Sequence, residues 1–153
     1  MVIVSGSCHF GLWFVNVNWS DDTVFHLKFS TIGVLGQVPL LIQKYCFGHY
    51  VDLTPLNSIA TSTDSMYSKI FQRVREIPYG ATTTYGEIAR QVQTSPRVVG
   101  QAMSRNPTPI IIPCHRIIGA HNIGGFSFSI EIKKTLLAME QQEIHRLNRK
   151  GKS

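Results

Sequence analysis

Acidic side chains, cysteines and long apolar runs are all scarce in this 153-residue chain, and each shortage removes a class of protein. Nine Asp and Glu stand against fifteen Lys and Arg, a formal net charge of +6. That balance favours a polyanionic partner, nucleic acid first and an anionic membrane surface second, although small basic enzymes without a nucleic-acid role share it. The three cysteines, Cys8, Cys46 and Cys114, are an odd count with no Cys-x-x-Cys. They make neither a disulfide framework nor a closed zinc signature, so no metal and no cofactor are expected. A reducing, intracellular setting follows, cytoplasmic at the nucleoid or nuclear in a eukaryote. No stretch approaches the ~20 apolar residues of a membrane span. No basic segment followed by an apolar one opens the chain, so neither a signal peptide nor a membrane partner is expected. What remains is an ordinary globular composition, 43% hydrophobic and 16% charged, long enough for one good core or two small lobes.

The first third reads as β structure. Residues 11–19 are aromatic and β-branched and alternate from Phe14 onward. Asp21-Asp22 is a turn signal, and residues 23–29 alternate again, which predicts a hairpin with one buried face. A short helix is expected after Pro39, ended by Gly48. Residues 49–65 are rich in turn formers and read as a connection. These features predict a β-containing lobe over residues 1–60, a second lobe over 61–145, and a basic tail over 146–153 that is frayed.

Helical signals dominate the second lobe. Met66, Ile70, Val74 and Ile77 form a stripe at helical spacing. Thr84 with Glu87 three residues on fits a capping box. Gln93-Thr94 turns the chain, and Ser95-Pro96 reads as N-cap plus proline at the first helical position. Two short helices joined by a tight turn on a basic protein fit a helix-turn-helix, and equally an ordinary helical hairpin. The second helix is rich in small residues (Gly100, Ala102, Ser104) with Arg97 at one end. Small residues permit close approach to a backbone or a narrow groove.

The most unusual stretch is Pro109-Ile110-Ile111-Ile112-Pro113-Cys114-His115-Arg116-Ile117-Ile118. Its isoleucines suit a short, buried extended segment, ended where Pro113 cannot donate a hydrogen bond. A thiol, an imidazole and a guanidinium are thereby delivered at the rim of a core. A free cysteine is commonly no more than a small buried hydrophobe. A reactive one needs a lowered pKa, for which His115 and Arg116 are the neighbours at hand.

Pro113-Cys114-His115-Arg116 resembles the active-site signature of the O(6)-alkylguanine-DNA alkyltransferases. The blocks 77–80, 84–89, 97–103, Asn106-Pro107 and 123–127 stand in that family's order, and the resemblance covers roughly residues 63–140. It implies an α/β (α+β) fold with a helix-turn-helix in the second lobe, winged-helix-like, and a monomer acting on double-stranded DNA. It also implies direct repair, in which Cys114 takes the alkyl group from O6-alkylguanine, with O4-alkylthymine as a further substrate, and the protein is consumed. By the same resemblance His115 is a water-mediated base, Glu140 orients it, Asn106 braces the active-site turn and Tyr85 assists the leaving group and rotates the phosphate. Arg97 fills the stack left by a flipped base. Met103 and Phe126 sandwich that base, and Ser127 and the Ile117 carbonyl bond its edge. Thr94, Ser95, Gly100 and Gly124 complete the implied DNA and substrate contacts.

Two departures carry consequences. Phe126 stands where the family more usually has tyrosine, which keeps a stacking face and loses a hydroxyl. Phe128 and Ser129 follow where a glycine is common, so bulk there is expected to narrow the pocket against large adducts such as benzyl. Rival readings are a lesion-binding module that flips the base without repairing it, and a helix-turn-helix regulator with an incidental cysteine.

Overall fold

In a computed structural model, which describes residues 2–126 and 128–151, the first lobe is a meander. Strands β1 (Val4–Phe10), β2 (Trp13–Ser20) and β3 (Thr23–Ser30) pair antiparallel, and β4 (Asn57–Ser58) joins β3 in parallel. Gly11 (φ 57°) and Asp21 (φ 53°) take left-handed conformations in the two hairpin turns. The expected hairpin is therefore two strands of a larger sheet. The first strand lies in the stretch read as β but was not outlined, because its buried positions, Gly6, Cys8 and Phe10, do not form a β-branched pattern.

An edge strand with free backbone groups invites pairing with another chain. Here residues 33–38 lie along β1. Ser7 Oγ accepts from the Val34 amide at 2.8 Å, and Trp19 Nε1 donates to the Gln37 carbonyl at 3.0 Å. Gly6 is required at this contact, because a Cβ there would sit 2.1 Å from the Gln37 carbonyl oxygen. Helix α1 (Leu40–Cys46) follows Pro39 and buries Ile42, Tyr45 and Cys46.

The second lobe contains α2 (Met66–Val74), β5 (Thr83–Thr84), α3 (Tyr85–Val92), α4 (Pro96–Ser104), β6 (Ile117–Ile118) and α5 (Ile130–Lys150). Its helix starts follow local rules. Ser65, Thr84, Ser95 and Ser129 each cap an N-terminus by accepting from a backbone amide two or three residues on. Gln93 closes α3 in the left-handed conformation (φ 60°), and Ser95 starts α4 directly after, which gives the helix-turn-helix.

Two expectations change. The isoleucine run is not an extended segment. Ile110 has φ 76°, and the Ile112 amide donates back to the Thr108 carbonyl at 2.9 Å, so the chain turns sharply. The turn splits the run between two cores. Ile110 and Ile111 pack with the sheet, α1 and the α5 residues Ile132 and Leu136. Ile112 packs with α2, α3 and α4. A β-branched residue at positive φ costs of order 1–3 kcal/mol and persists where its surroundings over-determine it.

The tail is not frayed through Lys150 either, since α5 carries it. Ile144 packs against Gly80 and Arg146 pairs with Glu143, which hold the last turns. Ser127 and the final residues 152–153 of the tail lie outside the described residues.

Gly6→Ala is expected to lower stability by about 1–3 kcal/mol, the usual cost of overpacking. Urea unfolding followed by circular dichroism checks this, and an unchanged midpoint would mean that the strap over β1 yields freely.

Candidate active site

Cys114 and His115 open a single 3-10 turn, Cys114–Arg116, directly after Pro113. The Cys114 amide donates to the Ile112 carbonyl at 2.7 Å and the Arg116 amide to the Pro113 carbonyl at 2.9 Å. Asn106 ties this turn to the end of α4. Its Nδ2 donates to the Ile112 carbonyl at 2.9 Å, and its Oδ1 accepts from the Thr108 amide at 2.9 Å.

Consecutive residues of the turn face different places. Cys114 lies at the wall of a cavity of about 280 Å³ shared with Tyr85, Gly100, Met103, Ser104, Gly125 and Phe126. That volume is at the small end of ligand pockets, which run ~300–1,000 Å³, and suits a single base-sized group. A larger hollow of about 590 Å³, lined by Phe10, Phe47, Met139 and Arg146 among others, contains none of these groups.

His115 and Arg116 turn instead toward Glu140, which is 1% exposed. Glu140 Oε2 lies 2.6 Å from His115 Nε2 and accepts from Arg116 Nη2 at 3.0 Å and the Tyr45 hydroxyl at 2.5 Å. Glu140 Oε1 accepts from Arg116 Nε at 3.0 Å and the Gly80 amide at 2.9 Å. Arg116 also donates to the Ile77 carbonyl at 2.8 Å and lies over the Tyr79 ring.

Electrostatics follow from this packing. Burial drives the Glu140 carboxyl up, but His115 and Arg116 outweigh it and hold the group at about 2. Burial lowers the His115 pKa against the pull of Glu140, so the imidazole is neutral at pH 7 and its contact with Glu140 is a neutral N–H to a carboxylate. The proton then sits on Nε2. Nδ1 is buried without a hydrogen-bond partner among the described residues. A buried acceptor of that kind is commonly met by ordered water.

The lowered pKa expected of a reactive Cys114 is not present at rest. Burial pushes its thiol up to about 11, and a hydrogen bond from Asn106 and the nearby charge of Lys133 only partly oppose this. Arg116 gives the thiol no help, being spent on Glu140 and Ile77. The resting group is a thiol, so any thiolate must form by handing over a proton.

The remaining predicted residues fall in three groups. Tyr85, the first residue of α3, is half-buried, and its hydroxyl is hydrogen-bonded to the Gly125 backbone. Gly124 (φ 75°) packs beside it, and a Cβ there would meet the Tyr85 ring at 3.0 Å. Met103 is buried, while Gly100 has nothing within 4 Å of where a Cβ would lie. Smallness at Gly100 therefore serves the open face and not the core.

Arg97 is exposed in the first turn of α4, and Ser95 and Thr94 precede it on the same turn. Ile117 is buried, and its carbonyl accepts from Lys133 Nζ at 2.6 Å. Ser127 is outside the described residues. Phe126 packs on Phe29 of β3, with ring centroids 6.2 Å apart, and on Phe128. Phe128 does not narrow the cavity as expected: its ring stands edge-on to Phe29 at 5.3 Å, against the first lobe.

Sequence reasoning missed Tyr45, Lys133 and the true direction of Arg116. Lys133 is fully buried, donating to the Ile117 and Gly125 carbonyls. A signal was available for it. Lys133, Leu136, Glu140 and Glu143 recur at helical spacing, so two acids and a base lie on the buried stripe of α5. Tyr45 carried no such mark.

Comparison with known proteins adds to this geometry. Residues 65–142 match the family described as 6-O-methylguanine DNA methyltransferase, DNA binding domain. A curated methylated-DNA–protein-cysteine methyltransferase of Methanocaldococcus vulcanius is 48% identical over 80 residues, 52% of this chain and 50% of that protein. The chain thus spans half the length of that relative. One of Methanopyrus kandleri is 39% identical over 99 residues, 65% of this chain and 75% of the relative. The crystal structure of Mycobacterium tuberculosis O6-methylguanine methyltransferase superposes with a TM-score of 0.75 at 24% identity, covering 93% of this chain and 94% of the other, a likeness of fold.

Glu140→Gln leaves Arg116 buried without its counter-charge and is expected to cost ~3–5 kcal/mol at pH 7. The carboxyl is held at about 2, below its ordinary 4.5. The stabilisation it supplies is therefore complete above pH 4.5 and lost as pH falls toward 2. Urea unfolding of both proteins at pH 7, 4 and 3 checks this, and the gap between them should close as the acid limit is approached.

Proposed function

The chain belongs to the 6-O-methylguanine DNA methyltransferase family, and from that premise we propose that it repairs DNA directly by moving an alkyl group from guanine O6 to Cys114. The observation that carries the reading is the position of Cys114. It lies at the wall of a base-sized cavity, on the same turn as a histidine held by a buried carboxylate.

The step is a displacement at carbon. Cys114 Sγ forms a bond to the alkyl carbon as the carbon–O6 bond breaks, and guanine leaves with the electron pair and takes a proton at N1 from solvent. Because the resting group is a buried thiol, its proton must go elsewhere. His115 Nδ1 accepts it through a water, and Glu140 and the Nε2–H contact support the imidazolium that results. A thiolate formed in a low-dielectric site is a strong soft nucleophile, and its short lifetime there limits side reactions. The Tyr85 hydroxyl, half-buried at the cavity, donates toward O6 as negative charge develops on the guanine. The thioether product has no route back, so each molecule reacts once. O4 of thymine presents the same ether-like oxygen and is a second substrate by the same step.

Access requires the nucleotide to leave the duplex, because the alkyl carbon is out of reach inside the stack. Met103 and Phe126 flank the cavity as faces for the flipped base. The open side of α4 at Gly100 allows a DNA backbone to come close, with Ser95 and Thr94 at the helix start as phosphate contacts. Arg97, exposed and unengaged among the described residues, is free to occupy the vacated stack. The excess of basic residues supplies the salt-dependent part of the affinity. The partner is double-stranded DNA carrying O6-alkylguanine, and the protein acts as a monomer.

Intact-mass measurement after incubation with a duplex carrying one O6-methylguanine tests the reading. The expected result is a gain of one methyl group, mapped to the Cys114 peptide and absent in Cys114→Ala. Tight binding of the lesion with no mass gain would replace repair by mere recognition.

A further inference from the structure

We propose that Tyr45, from helix α1 of the first lobe, is a positioning residue of the Cys114 site: its hydroxyl proton, committed to Glu140, fixes the proton of His115 on Nε2 and leaves Nδ1 as the base. The inference rests on the alkyl-transfer reading and extends it to the first lobe.

The argument is one of proton counting. Tyr45 is fully buried, and its hydroxyl touches two members of the relay, Glu140 Oε2 at 2.5 Å and His115 Nε2 at 3.2 Å. A neutral imidazole has one N–H and one bare nitrogen. If the Tyr45 proton pointed at Nε2, the histidine would carry its own proton on Nδ1, the side from which Cys114 must be deprotonated. Such a histidine could not act as base. The hydroxyl has one proton to give, and the shorter, charge-assisted contact to the carboxylate takes it. Nε2 then donates to Glu140, and Nδ1 is left bare and without a partner among the described residues.

The surroundings keep the hydroxyl in that role. Burial and the Glu140 charge push the Tyr45 phenol well above its ordinary value, so it does not ionise. The Tyr79 ring stands edge-on to the Tyr45 ring with centroids 6.0 Å apart. The charged and titratable groups facing His115 are Glu140 and Lys133 from α5, Arg116 from its own turn, and Tyr45 from α1. Tyr45 is thus the contribution of the first lobe to a network otherwise built by the second.

Removing the hydroxyl concentrates the Glu140 charge on its remaining donors. The imidazolium form of His115 is then better stabilised and its titration moves up. A purely structural Tyr45 predicts no such change, because Tyr45→Phe keeps the ring and its packing.

The test is nitrogen NMR of ¹⁵N-histidine-labelled protein, with the His115 signals assigned by His115→Gln. It needs no DNA, so it stands apart from the methyl-transfer assay: a failure of that assay with the expected NMR result would overturn the repair reading and leave this one. Wild type is expected to show His115 neutral at pH 7 with the proton on Nε2. In Tyr45→Phe the titration midpoint should rise by about one pH unit, and methyl transfer below both midpoints should slow about ten-fold. A wild-type proton on Nδ1, or an unchanged midpoint in Tyr45→Phe, would overturn the proposal. If Tyr45→Phe does not fold, 3-fluorotyrosine placed at position 45, a stronger donor of nearly the same size, should move the midpoint down, and no movement would overturn it.

Discussion

A single buried carboxylate sets the terms for this fold. Glu140 is withdrawn from water, and an ionised group in that position is tolerated only when its oxygens are fully engaged. The donors come from three places besides α5: Tyr45 on α1, Gly80 in the turn after α2, and the His115-Arg116 pair. None of these can drift without leaving charge uncompensated. The position of the 3-10 turn, and with it the position of Cys114, is thereby fixed from behind by electrostatics and from the front by Asn106.

That arrangement separates two jobs that adjacent residues are usually assumed to share. Cys114 faces the cavity and is a buried thiol with its proton on. His115 faces the carboxylate and is neutral. Burial raises the barrier to forming the thiolate and also makes the thiolate more nucleophilic once formed. In the transfer step proposed above, holding His115 in one tautomer is worth more than lowering the thiol pKa at rest, because that step depends on where the proton can go. Lys133, buried beside the turn and bonded to two carbonyls, adds positive charge near the sulfur without competing for its proton.

Much of this was legible in the residues, and the illegible part has physical causes. Helix starts were readable because capping is local: Thr84 and Ser95 act within three residues of themselves. The two short helices and the turn between them followed from that, and the motif blocks named Cys114, Tyr85, Gly100, Met103 and Phe126, which line one cavity. The strand Val4–Phe10 fell in a stretch read as β but had no readable bounds, since its buried face holds a cysteine and a glycine, and the glycine's role depends on the strap at residues 33–38. The isoleucine run misled because burial on both sides reads the same for a strand and for a turn wedged between two cores. Tyr45 was invisible because its significance depends on Glu140, 95 residues away. Arg116 was only a neighbour at hand for the thiol, and adjacency could not settle its direction because successive residues of a 3-10 turn point in different directions.

The turn at Ile110–Ile112 also bears on how the protein is made. The three long strands of the sheet, all within the first thirty residues, close their core with Ile110, Ile111, Ile132 and Leu136. A chain emerging from the ribosome presents β1, β2 and β3 long before those side chains exist. Hairpins of this kind form in microseconds, whereas synthesis adds ~5–20 residues per second. The nascent meander therefore waits for seconds with Val15, Val17 and Leu27 uncovered. During that interval its protection must come from the strap along β1, from α1 and from whatever chaperone the cell provides, and the arrival of Ile132 and Leu136 on α5 ends the exposure.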